Sequence, residues 1–215
     1  MCIRDRGNVL TQEDLKFIDK TVNGQAYIVS DEIYDNMSFD MPHFSCVQLR
    51  NPISSFILTN AFSKGYRMYS RRVGFCIVPN ELVAPLTVIQ HHTLLTADPV
   101  SQFGAISALK HTDEVKKLHD LYKSRRDYAI EKLSLVKLLR VIPAKGSFYI
   151  TIDCNDFMEH YNIKTARELA EDIINTQYVA TVPGSDFSLD TMLRLSYSTS
   201  NFKEGIDRLV KYFDK

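Results

Sequence analysis

Asn60-Ala61-Phe62-Ser63-Lys64-Gly65-Tyr66 is the stretch on which the reading of this chain turns. It closes an apolar run, Ser54 to Phe62, and eight residues after the lysine comes Arg72-Val73-Gly74-Phe75. Thirty-three residues before the lysine lies Ser30-Asp31-Glu32-Ile33-Tyr34. A short apolar run bounded by turn residues reads as a buried strand. Gln25 to Ser30 is one such run, Ser54 to Phe62 a second, and Val73 to Val78, closed by Pro79, a third. Lys64 therefore falls just past one predicted strand and Asp31 at the end of another.

Helical signals alternate with these strands. Thr11-Gln12-Glu13-Asp14 has the form of a capping box, with Leu15, Ile18 and Val22 following at helical spacing. Asn80 and Asp98-Pro99 read as further helix starts, the second with proline in the first turn. Alternation of this kind predicts an α/β sheet, in which ligands bind beyond the strand ends. Thr112 to about Leu135 reads as one long charged helix with Leu118, Leu121, Tyr122, Ala129 and Leu133 on its apolar face. It leads to a second module with Val141-Ile142-Pro143 and Gly146-Ser147-Phe148-Tyr149-Ile150, then a helix capped by Thr165 with Glu168. Val179 to Pro183, a strand at Met192 to Tyr197 and a helix from Asn201 to Phe213 complete it. The expected organisation is a partial large domain over 7–110, a linking helix over 111–135, and a small α+β domain over 136–215.

Charge and composition narrow the function classes. Twenty-six basic and 26 acidic residues are mixed along 215 residues, with no basic block to attract nucleic acid or an anionic membrane. No apolar run approaches a transmembrane span. Cys2, Cys46, Cys76 and Cys154 are far apart and follow no metal-ligand spacing, which fits free thiols in the cytoplasm. Gln90-His91-His92-Thr93 gives no metal site, since adjacent histidines on a helix do not share a face. The opening MCIRDRG runs straight into a helix start with no strand before it, which we read as a truncated reading frame with non-native first residues.

Each polar residue at the strand ends has an ordinary role open to it. Lys64 could be a solvated surface lysine, Asp31 a turn cap, Tyr34 a core residue, and Arg72 the partner of a surface acid. Arg194, on a predicted strand between apolar neighbours in Leu193-Arg194-Leu195, needs an anion if it points inward. Taken in order and spacing the set fits a pyridoxal 5′-phosphate (PLP) site. Lys64 would condense with the aldehyde, Asp31 would hold the pyridine nitrogen protonated, and Tyr34 would bond the ring oxygen. Arg72 would grip the phosphate and Arg194 a substrate carboxylate.

The same residues carry a family resemblance. Ser30-Asp31-Glu32-Ile33-Tyr34, Phe62-Ser63-Lys64-Gly65-Tyr66 and Arg72-Val73-Gly74-Phe75 resemble class I/II aminotransferases of PLP fold type I. So do Pro143-Ala144-Lys145-Gly146-Ser147-Phe148-Tyr149, Val182-Pro183-Gly184-Ser185-Asp186-Phe187 and Arg194-Leu195-Ser196. The resemblance runs from Gly7 to the C-terminus. It implies an α/β fold: the C-terminal part of a fold type I large domain, a mixed, mostly parallel sheet with flanking helices, followed by the small α+β domain. It implies amino-group transfer between an L-amino acid and a 2-oxo acid, a homodimer at full length, and the five roles given above. Departures are Arg4-Asp5-Arg6-Gly7 where an Asn-Pro-x-Gly motif is usual, Ala61 where many members have a phosphate-binding serine, and Ser70 where glycine is usual. Two other functions use the same residues: a carbon–sulfur β-lyase of this fold, and the sensor domain of a transcription regulator. The chain by itself is expected to leave strand edges and apolar faces over 8–110 uncovered and to be inactive alone.

Overall fold

A computed structural model describes residues 7–214, so Cys2 and Arg4-Asp5-Arg6 lie outside the described residues. The fold is mixed α/β, and the chain divides into two compact units. The first comprises Leu10–Ser38 and Pro42–His119; the second takes residues 7–9, Phe39–Met41 and the chain from Asp120 onward.

In the first unit, helix α1 (Gln12–Val22) starts where the capping box places it. Thr11 Oγ1 accepts the Asp14 N–H at 3.1 Å, and the Asp14 carboxylate accepts the Thr11 N–H at 2.8 Å. Near the end of α1 the buried Asp19 carboxylate accepts the N–H groups of Ile53 and Ser54, at 2.9 and 2.7 Å. That contact fixes the chain just before a strand begins. Three strands follow, β1 (Ile28–Asp31), β2 (Phe56–Ala61) and β3 (Gly74–Ile77), in spatial order β1-β2-β3. β1 and β2 run parallel and β3 runs antiparallel to β2. Leu58 of β2 packs with Leu15 and Cys46, while Phe62, Val73 and Ala105 form a second small cluster. Helix α2 spans Asn80–Thr93, and α3 (Pro99–Ala108) is capped by Asp98, whose carboxylate accepts the Ser101 N–H at 2.8 Å. The expectation of three buried strands is corrected. Only Leu58 is fully buried among β1–β3, and Val29, Phe75 and Ile77 are exposed. An apolar run records that a face can be buried; it does not say which chain covers it.

Helix α4 (Thr112–Leu133) crosses the division between the units after His119. Leu118, Tyr122, Ala129 and Leu133 of its expected apolar face are buried, but Leu121 is exposed. Arg126 is buried instead. Its guanidinium donates to both Asp40 oxygens, at 2.5 and 2.9 Å, and to the Ala144 carbonyl at 3.0 Å, with Phe39 stacked on it. The second unit continues with β4 (Arg140–Ile142), β5 (Tyr149–Asp153), α5 (Asn155–His160), α6 (Ala166–Gln177), β6 (Val182–Pro183), β7 (Met192–Ser196) and α7 (Phe202–Phe213). The strands form an antiparallel sheet in the order β4-β5-β7-β6. Ile150, Ile152 and Leu193 point inward with Leu169, Ile173, Leu209 and Phe213, all fully buried or nearly so. Alternating burial along β7 and the helical spacing of α6 and α7 thus close one well-filled core. Among the described residues no helix is long and apolar enough to cross a membrane.

Leu193 is 0% exposed and Val100 on α3 is 74% exposed. Leu193→Ala should therefore lower the urea stability of the second unit by about 2–5 kcal/mol, through lost transfer energy and a residual cavity. Val100→Ala should change the stability of the first unit by less than about 0.5 kcal/mol.

Candidate functional site

The strand register of the first unit gathers the candidate residues at one sheet edge. Asp31, the last residue of β1, pairs with Thr59 of β2, and Ala61, the last residue of β2, pairs with Gly74, the first of β3. The exits of β1 and β2 and the entry to β3 therefore lie together. Tyr34 follows the first, Lys64 follows the second, and Arg72 precedes the third. Gly74 allows the close approach: a Cβ there would stand 2.9 Å from the Asn60 carbonyl oxygen.

The turn that carries Lys64 is tightly bonded. Phe62 N–H donates to Val73 O at 3.1 Å, Met68 N–H to Phe62 O at 3.0 Å, and Arg67 N–H to Lys64 O at 3.1 Å. Phe62 and Tyr66 pack ring to ring at 5.0 Å. Lys64 is half-buried in this turn, whereas Asp31 is exposed, with Oδ1 accepting the Ile33 N–H at 3.3 Å. Arg67 and Arg72 both take left-handed backbone conformations, with φ of 54° and 56°. A non-glycine residue in that region is strained, and strain is retained where the surroundings over-determine it. The exposed Arg72 guanidinium gives one donor to Tyr69 O at 3.1 Å.

The fifth candidate, Arg194, belongs to the second unit, on β7 opposite Thr151 of β5. It is half-buried, with its guanidinium carbon 4.3 Å from the Tyr149 ring centre and 4.0 Å from that of Phe187. Stacking on the face of a guanidinium restricts its rotation and confines its hydrogen bonds to the plane of the group.

Sequence reasoning gave Glu32 no role, yet it is the buried acid of this region. Its Oε1 accepts from Cys46 N–H at 2.8 Å and Ser30 Oγ at 3.0 Å, and its Oε2 lies 2.9 Å from His43 Nε2. Burial alone would raise its pKa. The hydrogen bonds from His43 and the Cys46 backbone outweigh burial and bring it down to about 2. The signal was present in the sequence: two adjacent carboxylates at a strand end face opposite ways, so one of them must point inward.

The chain as a whole is similar to known proteins. A family model described as aminotransferase class I and II matches residues 6–213. The chain is 29% identical over 214 residues to an aspartate aminotransferase of Bacillus sp. strain YM-2, covering 95% of this chain and 55% of that one. It is 31% identical over 217 residues to a probable aspartate/prephenate aminotransferase of Aquifex aeolicus, covering 97% and 55% respectively. Among solved structures, the aromatic aminotransferase from Pyrococcus horikoshii matches with a TM-score of 0.88 at 27% identity, over 96% of this chain and 56% of that one. The chain thus spans about half the length of the relatives it matches.

The Glu32 contacts carry a pH dependence. A carboxylate whose pKa is depressed on folding adds stability above its unfolded pKa, and that stability is lost as pH falls through the folded value. Glu32→Gln should cost the first unit about 3 kcal/mol at pH 7. The gap between variant and wild type should narrow from pH 4.5 downward and close near pH 2, read from urea midpoints across that range.

Proposed function

The chain belongs to the class I and II aminotransferases, and from that membership and the strand-end cluster we propose that it carries the cofactor-holding residues of a PLP-dependent transaminase. The protein would exchange an amino group between an L-amino acid and a 2-oxo acid. The observation that supports this reading best is the register that sets Asp31 opposite Thr59 and Ala61 opposite Gly74. It delivers a carboxylate, a phenol, an amine and a guanidinium to one edge of one sheet.

The chemistry of that donor set supports a phosphorylated pyridine aldehyde as the group it would hold. PLP, when bound, supplies an electron sink for charge that develops at the substrate Cα. The Lys64 amine would hold the cofactor at its aldehyde carbon and would carry a proton to and from the substrate Cα. Lys64 itself is half-buried, three residues past the end of β2. Asp31 as a carboxylate would keep a proton on the ring nitrogen, and the Tyr34 hydroxyl would donate to the ring oxygen. Arg72 offers a planar fork to the phosphate. With Ala61 in place of a hydroxyl residue, the phosphate has no side-chain donor at that position. Arg194, which lies over the Tyr149 and Phe187 rings, would grip the substrate α-carboxylate bidentately.

Borohydride treatment in the presence of PLP, followed by peptide mapping, tests the reading. The reduced cofactor should be found on Lys64 and vanish in Lys64→Ala; a label on another lysine overturns the assignment. In protein with measurable amino-group transfer, Lys64→Ala should lower kcat by about 10²–10⁴-fold through loss of the proton-transferring group. Asp31→Asn should keep the label at Lys64 while kcat falls sharply. Arg194→Lys should chiefly raise KM, roughly ten- to a hundredfold, as a charged bidentate contact becomes a point contact.

A further inference from the structure

The exits of β1 and β2 are tied together by polar side chains to which the proposed chemistry gives no part. Asp35 follows Tyr34 and opens the 3-10 turn Asp35–Met37. One oxygen of its carboxylate accepts from Asn60 Nδ2 at 3.0 Å; the other accepts from the Asn36 backbone N–H and Nδ2, both at 2.6 Å. Asn60 lies on β2, and its own Oδ1 accepts the Ala61 N–H at 2.7 Å. On the far side of the lysine, Gly65 lies against Asn36: a Cβ on Gly65 would stand 3.0 Å from Asn36 Nδ2 and 3.2 Å from its Cβ. The Asp35–Asn36 pair thus touches the Lys64 segment both before and after the lysine. Burial raises the pKa of the Tyr66 hydroxyl, and the Asp35 charge adds to it, which places that charge beside the same turn.

We propose that Asp35 is a positioning residue for Lys64, latching the turn that carries Tyr34 to the turn that carries the lysine through Asn60 and Asn36. What the latched side chains touch rests on the transaminase reading; the latch itself is a property of this chain. The carboxylate is the group the geometry requires. Both of its oxygens accept, one from Asn60 and the other from Asn36, whereas an amide has only one accepting atom. In Asp35→Asn one side of the new amide meets a donor with a donor. Turning Asn60 over moves the mismatch to the Ala61 N–H. Exchanging the pair, Asp35→Asn with Asn60→Asp, removes the conflict. The new carboxylate at 60 accepts from the amide at 35 and from Ala61 N–H, while the oxygen at 35 still accepts from Asn36.

The test measures amide hydrogen exchange of residues 62–68 in cofactor-free chain, beside β5 and α7 as internal references, and then borohydride labelling of Lys64 with PLP. Asp35→Asn should speed exchange over 62–68 by roughly tenfold, as one satisfied buried contact is lost, and leave the references unchanged. The double variant should return both exchange and labelling toward wild type. Exchange over 62–68 as slow in Asp35→Asn as in wild type overturns the proposal. So does acceleration spread equally over β5 and α7, or a double variant no better than the single one. If Asp35→Asn does not fold, the comparison of Asn60→Asp alone with the double variant carries the same decision, since only the double variant should be protected. The expected exchange pattern without any label on wild-type Lys64 would leave the latch standing and count against the transaminase reading alone.

Discussion

The parallel pairing of β1 with β2, with Ser30 opposite Leu58 and Asp31 opposite Thr59, is the constraint on which the candidate site depends. In parallel pairing, both carboxyl ends emerge on one edge, and the antiparallel return of β3 brings Arg72 back to it. The register also sorts the two adjacent acids. Side chains alternate across a strand, so Asp31 faces outward while Glu32 turns into the protein, and a slip of one residue would exchange them. Glu32 is held by His43, Cys46 and Ser30, which resists that slip.

The two units keep their shape by different means. The second has a conventional core, with β5 and β7 sharing an inner face against α6 and α7. The first relies more on polar ties at chain ends: Asp19 to Ile53 and Ser54, Glu32 to Cys46, Asp35 to Asn60. Hydrogen bonds made by charged groups to backbone N–H are directional and specify position, whereas a hydrophobic contact mainly specifies proximity. Such ties hold polar side chains in place at the strand ends, and the left-handed backbone at Arg67 and Arg72 belongs to the same end of the sheet.

Local signals were legible in the sequence wherever their physics is local. The Thr11 capping box, the Asp98-Pro99 start and the Thr165 cap all appear in the structure as expected. The family was legible because its short motifs sit at strand ends in a fixed order, and residues 6–213 match its model. Longer-range features were not. The segment Gly146 to Ile150 read only as part of the second module, and the start of β5 at Tyr149, two residues after Ser147 with its left-handed φ of 67°, was not marked in it. Arg126 reads as one more charge on a charged helix until Asp40 and the Ala144 carbonyl are seen around it. Asp35 and Asn60 are 25 residues apart, and nothing in either segment announces their contact. The exposure of Val29, Phe75 and Ile77 was hidden for the opposite reason, since their apolar pattern is that of buried strands.

Diffraction from crystals of this chain soaked with PLP tests the central claim most directly. The account requires density continuous with Lys64 Nζ, the ring nitrogen within hydrogen-bond distance of the Asp31 carboxylate, and the phosphate against Arg72. Density joined to Lys64 with the ring nitrogen turned away from Asp31, or a phosphate held at another edge of the sheet, would contradict it.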